Sequence, residues 1–299
     1  MIGMKRFLAA LLALCLFCPA VLAEEPALTE QGFLTDEYLE DSYARVDEEA
    51  GEYVYLSRTL SVRVTEYVEE DVPRRYYVAE IRCCEENPLK TLVSEGKRPG
   101  RKLVNPLNFA KENEAVLALS DDFSGYRIQK GNKVGIVIRN GEILSSKTRS
   151  SRNKRGWPNL DTLAVFEDGR MEVNVSDAYT AQEYLDMGAV QVFAFGPMLL
   201  KGGEYIDYVM EEDYYPYNEP RLAIGMIEPY HYIVLAAVGR TDDSKGARLS
   251  WMAEKLRELG VQEALNLDGG GTAALMFMGQ VLNRSPKNMR SINSLIAFK

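Results

Sequence analysis

A single histidine, His231, serves all 299 residues, and that scarcity removes most familiar catalytic chemistries. Imidazole-based zinc sites and Ser-His-Asp hydrolases depend on histidine, and His231, between Tyr230 and Tyr232 at a strand start, reads as structural. Cysteine is almost as sparse. Of four, Cys15 and Cys18 fall in the N-terminal apolar stretch, and only the neighbours Cys83 and Cys84 remain beyond it. Adjacent Cα atoms lie about 3.8 Å apart, inside the roughly 4.4 Å minimum for a disulfide, so two thiols are expected. Phosphate-binding loops of the nucleotide type are missing too: no Gly-Lys-Ser/Thr follows a glycine run, and Gly269-Gly270-Gly271 does not fit GxGxxG. A basic surplus is also lacking. The net charge of −9 argues against nucleic acid as the partner.

What is present begins with an export signal. Lys5 and Arg6 precede an apolar run from Phe7 to Phe17, and Val21-Leu22-Ala23 offers a small-residue cleavage site. That run is too short to span a bilayer, which takes about 20 apolar residues. A secreted or extracytoplasmic, envelope-associated protein is therefore expected, with membrane contact only during export. From Glu24 to Glu52 eleven acidic residues face Arg45 alone, which reads as a solvated, weakly ordered segment. The main domain is expected over residues 53–299, and its charge is near neutral once these two stretches are set aside.

Within that domain short apolar runs rich in β-branched and aromatic residues predominate, as in Leu60 to Tyr67, Tyr76 to Ile81 and Tyr230 to Val238. Asn140-Gly141 and Asp168-Gly169 mark hairpins. Helices are few. Asn105-Pro106 starts one, Thr180-x-x-Glu183 is a capping box, and Leu249, Met252, Ala253, Leu256 and Leu259 recur at helical spacing before Gly260. Strands without sustained βαβ alternation predict one α+β domain, mixed but mainly antiparallel, with a few packed helices. Lys147 to Arg155 carries five basic residues in nine, suited to a solvated loop or to a polyanionic glycan. Tyr205 to Tyr217, aromatic and acidic, has no clear assignment.

The richest stretch is Ala264 to Leu275, where an apolar run delivers Asp268 into three consecutive glycines. Each glycine costs about 0.5–1 kcal/mol in regular structure, and the usual compensation is close approach of another group to the bare backbone. Asp268 closes a strand there, Asp121 and Asp122 close another, and Arg221, Arg240 and Arg290 stand at further strand ends. Carboxylates at separate strand ends suit a glycosidase, and arginines suit phosphate.

In order and spacing, Glu219 to Gly225, Gly239-Arg240, Ser244-Lys245-Gly246, Glu263 to Gly271, Val281-Leu282-Asn283 and Arg290-Ser291 resemble the phosphodiester glycosidases of the NAGPA domain family. The resemblance runs from about Leu60 to Phe298. It implies a single domain of that kind, hydrolysis of sugar-1-phosphate diesters of the N-acetylglucosamine type, and, for bacterial members, exopolysaccharide or envelope glycans as substrates. Carried onto this sequence, it places Arg221, Asn266, Asp268, Gly269, Gly270 and Arg290 in the pocket, and Arg240, Gly271 and Thr272 are expected beside them as further substrate contacts. Asp268 is expected as nucleophile or as base for water, Asp122 as second carboxylate, and the N–H groups of Gly269 and Gly270 as phosphate donors alongside Arg221 and Arg290. No cofactor is demanded, although clustered aspartates make Ca²⁺ or Mg²⁺ conceivable. Several motif positions depart from the family: Ser120-Asp121, Leu222, Val238 (with Asp242 or Asp243 as a substitute carboxylate) and Ala273-Ala274. They motivate a second expectation, a catalytically degenerate glycan-binding module. The oligomeric state is open.

Overall fold

A computed structural model describes residues 25–95, 102–123, 127–128, 134–148, 160–211, 214–284 and 286–299. The export signal and nearly all of the basic run after Lys147 lie outside the described residues. Among the described residues the strands form three sheets, of nine, five and five strands, and the pairings between neighbours are antiparallel. The α+β reading with mainly antiparallel sheets is correct.

Local signals placed the elements well. Asn105 caps Pro106–Glu112 through its side chain, Thr180 and Glu183 complete the capping box of Ala181–Asp186, and Leu249–Glu258 is the longest helix among the described residues. Asn140-Gly141 joins Ile136–Arg139 to Glu142–Ser146. Asp168-Gly169 joins Asp161–Phe166 to Met171–Asn174.

Strand Arg221–Glu228 is central to the large sheet, between His231–Ala237 and Glu263–Asn266. Successive side chains on a strand point to opposite faces. Accordingly Leu222, Ile224 and Met226 enter the main core with Leu163, Phe193, Leu117 and Leu275 from the smaller sheets. Ala223 faces the other way, into the layer formed by Leu249, Met252, Ala253 and Leu256 of the long helix. Both faces are covered, which explains why His231–Ala237 is buried at every position.

The acidic N-terminal segment is a correction to the expected weakly ordered tether. Ser42–Asp47 pairs with Glu52–Ser57 as the edge strand of the large sheet, and Leu34, 2% exposed, packs on Val54 and Leu56. Its acidic groups meet cations that sequence distance hid: Glu25 takes two hydrogen bonds from Arg63, at 2.8 and 3.1 Å, and Arg45 reaches Glu52 at 2.7 Å. The folded body therefore starts ahead of residue 53.

Cys83 and Cys84 are free thiols, as expected, and burial pushes Cys83 up to about 12. His231 is buried with Nε2 2.8 Å from Glu80 Oε1, a structural placement.

Candidate active site

Antiparallel register brings the site together. Arg221 stands opposite Ala237, and Asn266 opposite Ala223, so the start of one strand meets the ends of its two neighbours. Glu219-Pro220-Arg221, Gly239-Arg240 and Asn266 to Gly271 thereby share one edge of the sheet, joined by Phe195-Gly196-Pro197. These segments line a cleft of roughly 430 Å³. Of the expected site residues it gathers Asp268, Arg221, Arg240, Asn266, Gly269, Gly270, Gly271 and Arg290.

Asp268 presents its carboxylate to this cleft. Burial pushes it up to about 6, against the hydrogen bonds from Thr272 and the Gly269 N–H and the charges of Arg127 and Arg290. Thr272 is thus a buried support for Asp268 and does not line the cleft. Asn266 is 2% exposed; its Nδ2 donates to the Gly196 carbonyl at 3.0 Å, while Oδ1 is buried without a partner. An orphaned acceptor costs about 1–3 kcal/mol, which a donor on a bound molecule relieves.

The arginines divide into two kinds. Arg240 is bound to Glu219, at 2.6 and 2.8 Å, and Glu219 is the second carboxylate of the cleft among the described residues. Arg221 and Arg290 have no carboxylate within 4.0 Å among the described residues. Arg221 donates to the carbonyls of Ala247 and Tyr217 and stacks on Tyr215; Arg290 donates to the Thr272 hydroxyl at 3.4 Å and lies over the Phe123 ring. Arg284, which sequence reasoning missed, lies behind the loop and donates to the carbonyls of Gly270, Gly271 and Ala273. Burial, then the charges of Arg290 and Arg240, hold Arg284 below its ordinary range. Among the described residues the cleft wall therefore carries a surplus of positive charge, suited to a phosphate.

The glycine loop departs from expectation at Gly270, whose N–H donates to the Pro220 carbonyl at 2.9 Å and is no spare phosphate donor. At Gly269 and Gly271 the missing side chain matters as well. A Cβ on Gly269 would lie 2.7 Å from the Pro220 carbonyl oxygen, and one on Gly271 only 2.8 Å from Arg290 Nε. Gly269→Ala is therefore expected to lose about 1–3 kcal/mol of stability, since backbone must move. Gly271→Ala is expected to keep its Tm within about 2 °C and lose roughly tenfold in kcat/KM, because only the Arg290 side chain is displaced. Thermal melts alongside kinetics check the pair, and equal loss of stability in both would sink this distinction.

Asp122 is the main correction. It is fully buried, its oxygens accepting from Arg139 at 2.8 Å and the Ala194 N–H at 2.9 Å, and it does not line the cleft. Burial would raise it, but Arg139 and then Arg127 hold it below the ordinary carboxylate range. Asp121 accepts from Arg139 at 3.1 Å and from Ser294, and burial plus the charge of Asp122 push it upward. These aspartates grip guanidinium, the role in which a buried carboxylate is tolerated. Asp242 and Asp243 do not line the cleft either; Asp243 pairs with Arg75 at 3.3 Å.

The sequence matches the phosphodiester glycosidase (NAGPA) profile over residues 113–299. The chain belongs to this family. A prophage-derived uncharacterized protein of Bacillus subtilis strain 168, YomE, is 27% identical over 179 residues, covering 59% of this chain. The match takes in only 26% of that relative's length. Among solved structures, the catalytic domain of zebrafish N-acetylglucosamine-1-phosphodiester alpha-N-acetylglucosaminidase, auto-inhibited by its pro-peptide, superposes with a TM-score of 0.61 at 18% identity. That likeness covers 86% of this chain and 87% of the other, and it shows a shared fold. A hypothetical protein from Synechocystis follows with a TM-score of 0.53 and 15% identity, covering 81% and 62% of the two chains.

The family's altered positions can now be located. Leu222, Val238, Ala273 and Ala274 are at most 2% exposed and point into apolar clusters, and Ser120 and Asp121 are fully buried. None of them lines the cleft.

Proposed function

We propose that this chain is an exported glycosidase that hydrolyses the sugar–oxygen bond of glycosyl phosphodiesters in envelope or extracellular glycans. The observation that carries the reading is the pairing of Asp268 with two arginines, Arg221 and Arg290, that have no carboxylate of their own within 4.0 Å among the described residues. Family membership supports the same bond.

A phosphodiester leaves as a weak base, so the reaction needs little general-acid help. Asp268, ionised, either takes a proton from an attacking water or attacks the anomeric carbon to form a glycosyl ester, which water then hydrolyses at the same carbon to regenerate the carboxylate. The C–O electron pair departs with the phosphate, the water oxygen ends on the anomeric carbon, and the released proton passes to solvent. Arg221 and Arg290 hold the phosphate and stabilise its growing charge. Arg240, neutralised by Glu219, closes the rim. The bare Asn266 Oδ1 accepts from a sugar hydroxyl or acetamido N–H, in keeping with an N-acetylglucosamine-type sugar. The second reading, a catalytically degenerate glycan-binding module, rests on the altered positions, which are buried and stand behind the cleft.

Hydrolysis of an N-acetylglucosamine-1-phosphate methyl diester in ¹⁸O-labelled water tests the bond. Label is expected in the released sugar. Label in the phosphate would instead mark a phosphodiesterase, and binding of glycans without release from any diester would mark a binding module. Arg221→Ala and Arg290→Ala are each expected to lower kcat/KM by about 10²-fold, the size of one charged hydrogen-bond contact. Steady-state kinetics with both variants measures this, and an unchanged kcat/KM in both removes the phosphate grip.

A further inference from the structure

The aromatic stretch with no role so far stands at the mouth of the cleft. Tyr214 and Tyr215 line it, and Tyr217 is just outside. Tyr215 and Tyr217 are 39% and 52% exposed, unusual for such large rings, and they meet edge to face, with centroids 5.7 Å apart and planes at 85°. Two rings at right angles make a floor and a wall.

This corner is held from beneath. Tyr214 packs edge to face on Tyr208, whose hydroxyl donates to Asp161 at 3.0 Å. The Arg221 guanidinium lies 4.8 Å from the Tyr215 ring centre, and its other end donates to the Tyr217 carbonyl at 3.4 Å. Tyr215 also has a positive φ of 51°, a conformation uncommon for a bulky residue. Strain of this kind persists only where the surroundings enforce it, and it gathers at ligand sites.

From this geometry we infer that Tyr215 and Tyr217 form an outer carbohydrate subsite, which binds a further sugar ring on the phosphate side of the bond that is cut and favours polymer-borne diesters over small ones. The inference rests on the reading of the cleft as a glycosyl phosphodiester site. A pyranose presents one face of polarised C–H groups, matching the negative face of an aromatic ring, while its hydroxyls at the edge match tyrosine hydroxyls. Rigid tyrosines provide that area with little conformational entropy to lose. A lipid would be met by aliphatic side chains, and among the described residues the exposed apolar side chains at this mouth are the two tyrosines.

The test is binding to the full-length Asp268→Asn protein, by titration calorimetry, so that turnover does not interfere. The probes are an N-acetylglucosamine-1-phosphate methyl diester and the same diester carrying chitotriose on its phosphate. The trisaccharide is expected to tighten binding at least tenfold, and Tyr215→Ala with Tyr217→Ala should reduce that gain to under twofold, while the Tyr→Phe pair keeps most of it. If the double variant does not fold, Tyr217→Ala alone, at an exposed position, should cut the gain by at least threefold. No gain in the parent protein, or a gain untouched by these changes, overturns the subsite. So does a larger gain from a short isoprenyl group than from chitotriose. Because binding is measured without cleavage, a chitotriose gain in a protein that hydrolyses no diester would keep the subsite and reject the hydrolase.

Discussion

Replacing Asp268 by Asn is expected to leave the fold intact and to lower kcat/KM for a glycosyl phosphodiester by about 10³-fold or more. The side chain keeps its size and can still accept from Thr272 and the Gly269 N–H, so the loop has little reason to move. What disappears is the anionic oxygen. The other carboxylate in the cleft, Glu219, is committed to Arg240 at 2.6 Å and cannot take over. Relief of burial could even make the variant slightly more stable. A residual rate within tenfold of the parent would remove Asp268 from the chemistry.

The pH dependence follows from the same group. Burial raises Asp268 to about 6, so below that pH the carboxyl is protonated and neither attacks nor takes a proton. The parent's kcat/KM should therefore climb as pH rises through about 6 and level off above it. An acid role would give the opposite limb, falling above 6. The residual rate of Asp268→Asn should lack the limb.

Arg139→Met is expected to be the most damaging single change for stability, at about 3–5 kcal/mol. Arg139, Asp121 and Asp122 have side chains at most 1% exposed, and the guanidinium joins both carboxylates while donating to the Val192 carbonyl at 2.6 Å. Methionine fills the volume but leaves the two aspartates facing each other with their main cation gone. At roughly 2–4 °C per kcal/mol, Tm should fall by about 10 °C. Lys255→Met is the contrast. Its ion pair with Glu258 lies on the helix surface and should cost at most about 0.5 kcal/mol. Urea denaturation of both variants settles the comparison, and losses of equal size would show that the buried trio is no keystone. The damage should also reach the cleft, because the Asp268 N–H donates to the Asp121 carbonyl at 3.3 Å.

Tertiary placement changed the meaning of several residues read correctly as chemical types. Asp122 has the right chemistry for a second catalytic carboxylate, but Arg139, donated by a different sheet, occupies it. The triple glycine read as a bare cradle for phosphate, whereas the Gly270 N–H is spent on the Pro220 carbonyl and the missing side chains of Gly269 and Gly271 make room for Pro220 and Arg290. Arg284 sits two residues after the Leu282 motif with nothing to single it out, because donating to three loop carbonyls is a property of position. The acidic segment read as weakly ordered because Arg63, a partner of Glu25, is 38 residues away from it.

By itself the sequence determined the strands, hairpins, caps and long helix, the antiparallel α+β class, the family, and Asp268 as the residue to watch. Those properties come from forces acting over a few residues, such as φ/ψ sterics, capping hydrogen bonds and side-chain periodicity, or from motif order along the chain. Only the tertiary structure decided which charges meet. Antiparallel register put Arg221 beside the ends of two other strands, and burial of Asp121 and Asp122 demanded a cation, which Arg139 supplies. The carboxylates of Asp121 and Asp122 were claimed in this way. Asp268 was left facing the cleft with Arg221 and Arg290, and a charge left unpaired at a cleft wall is one kept for a ligand.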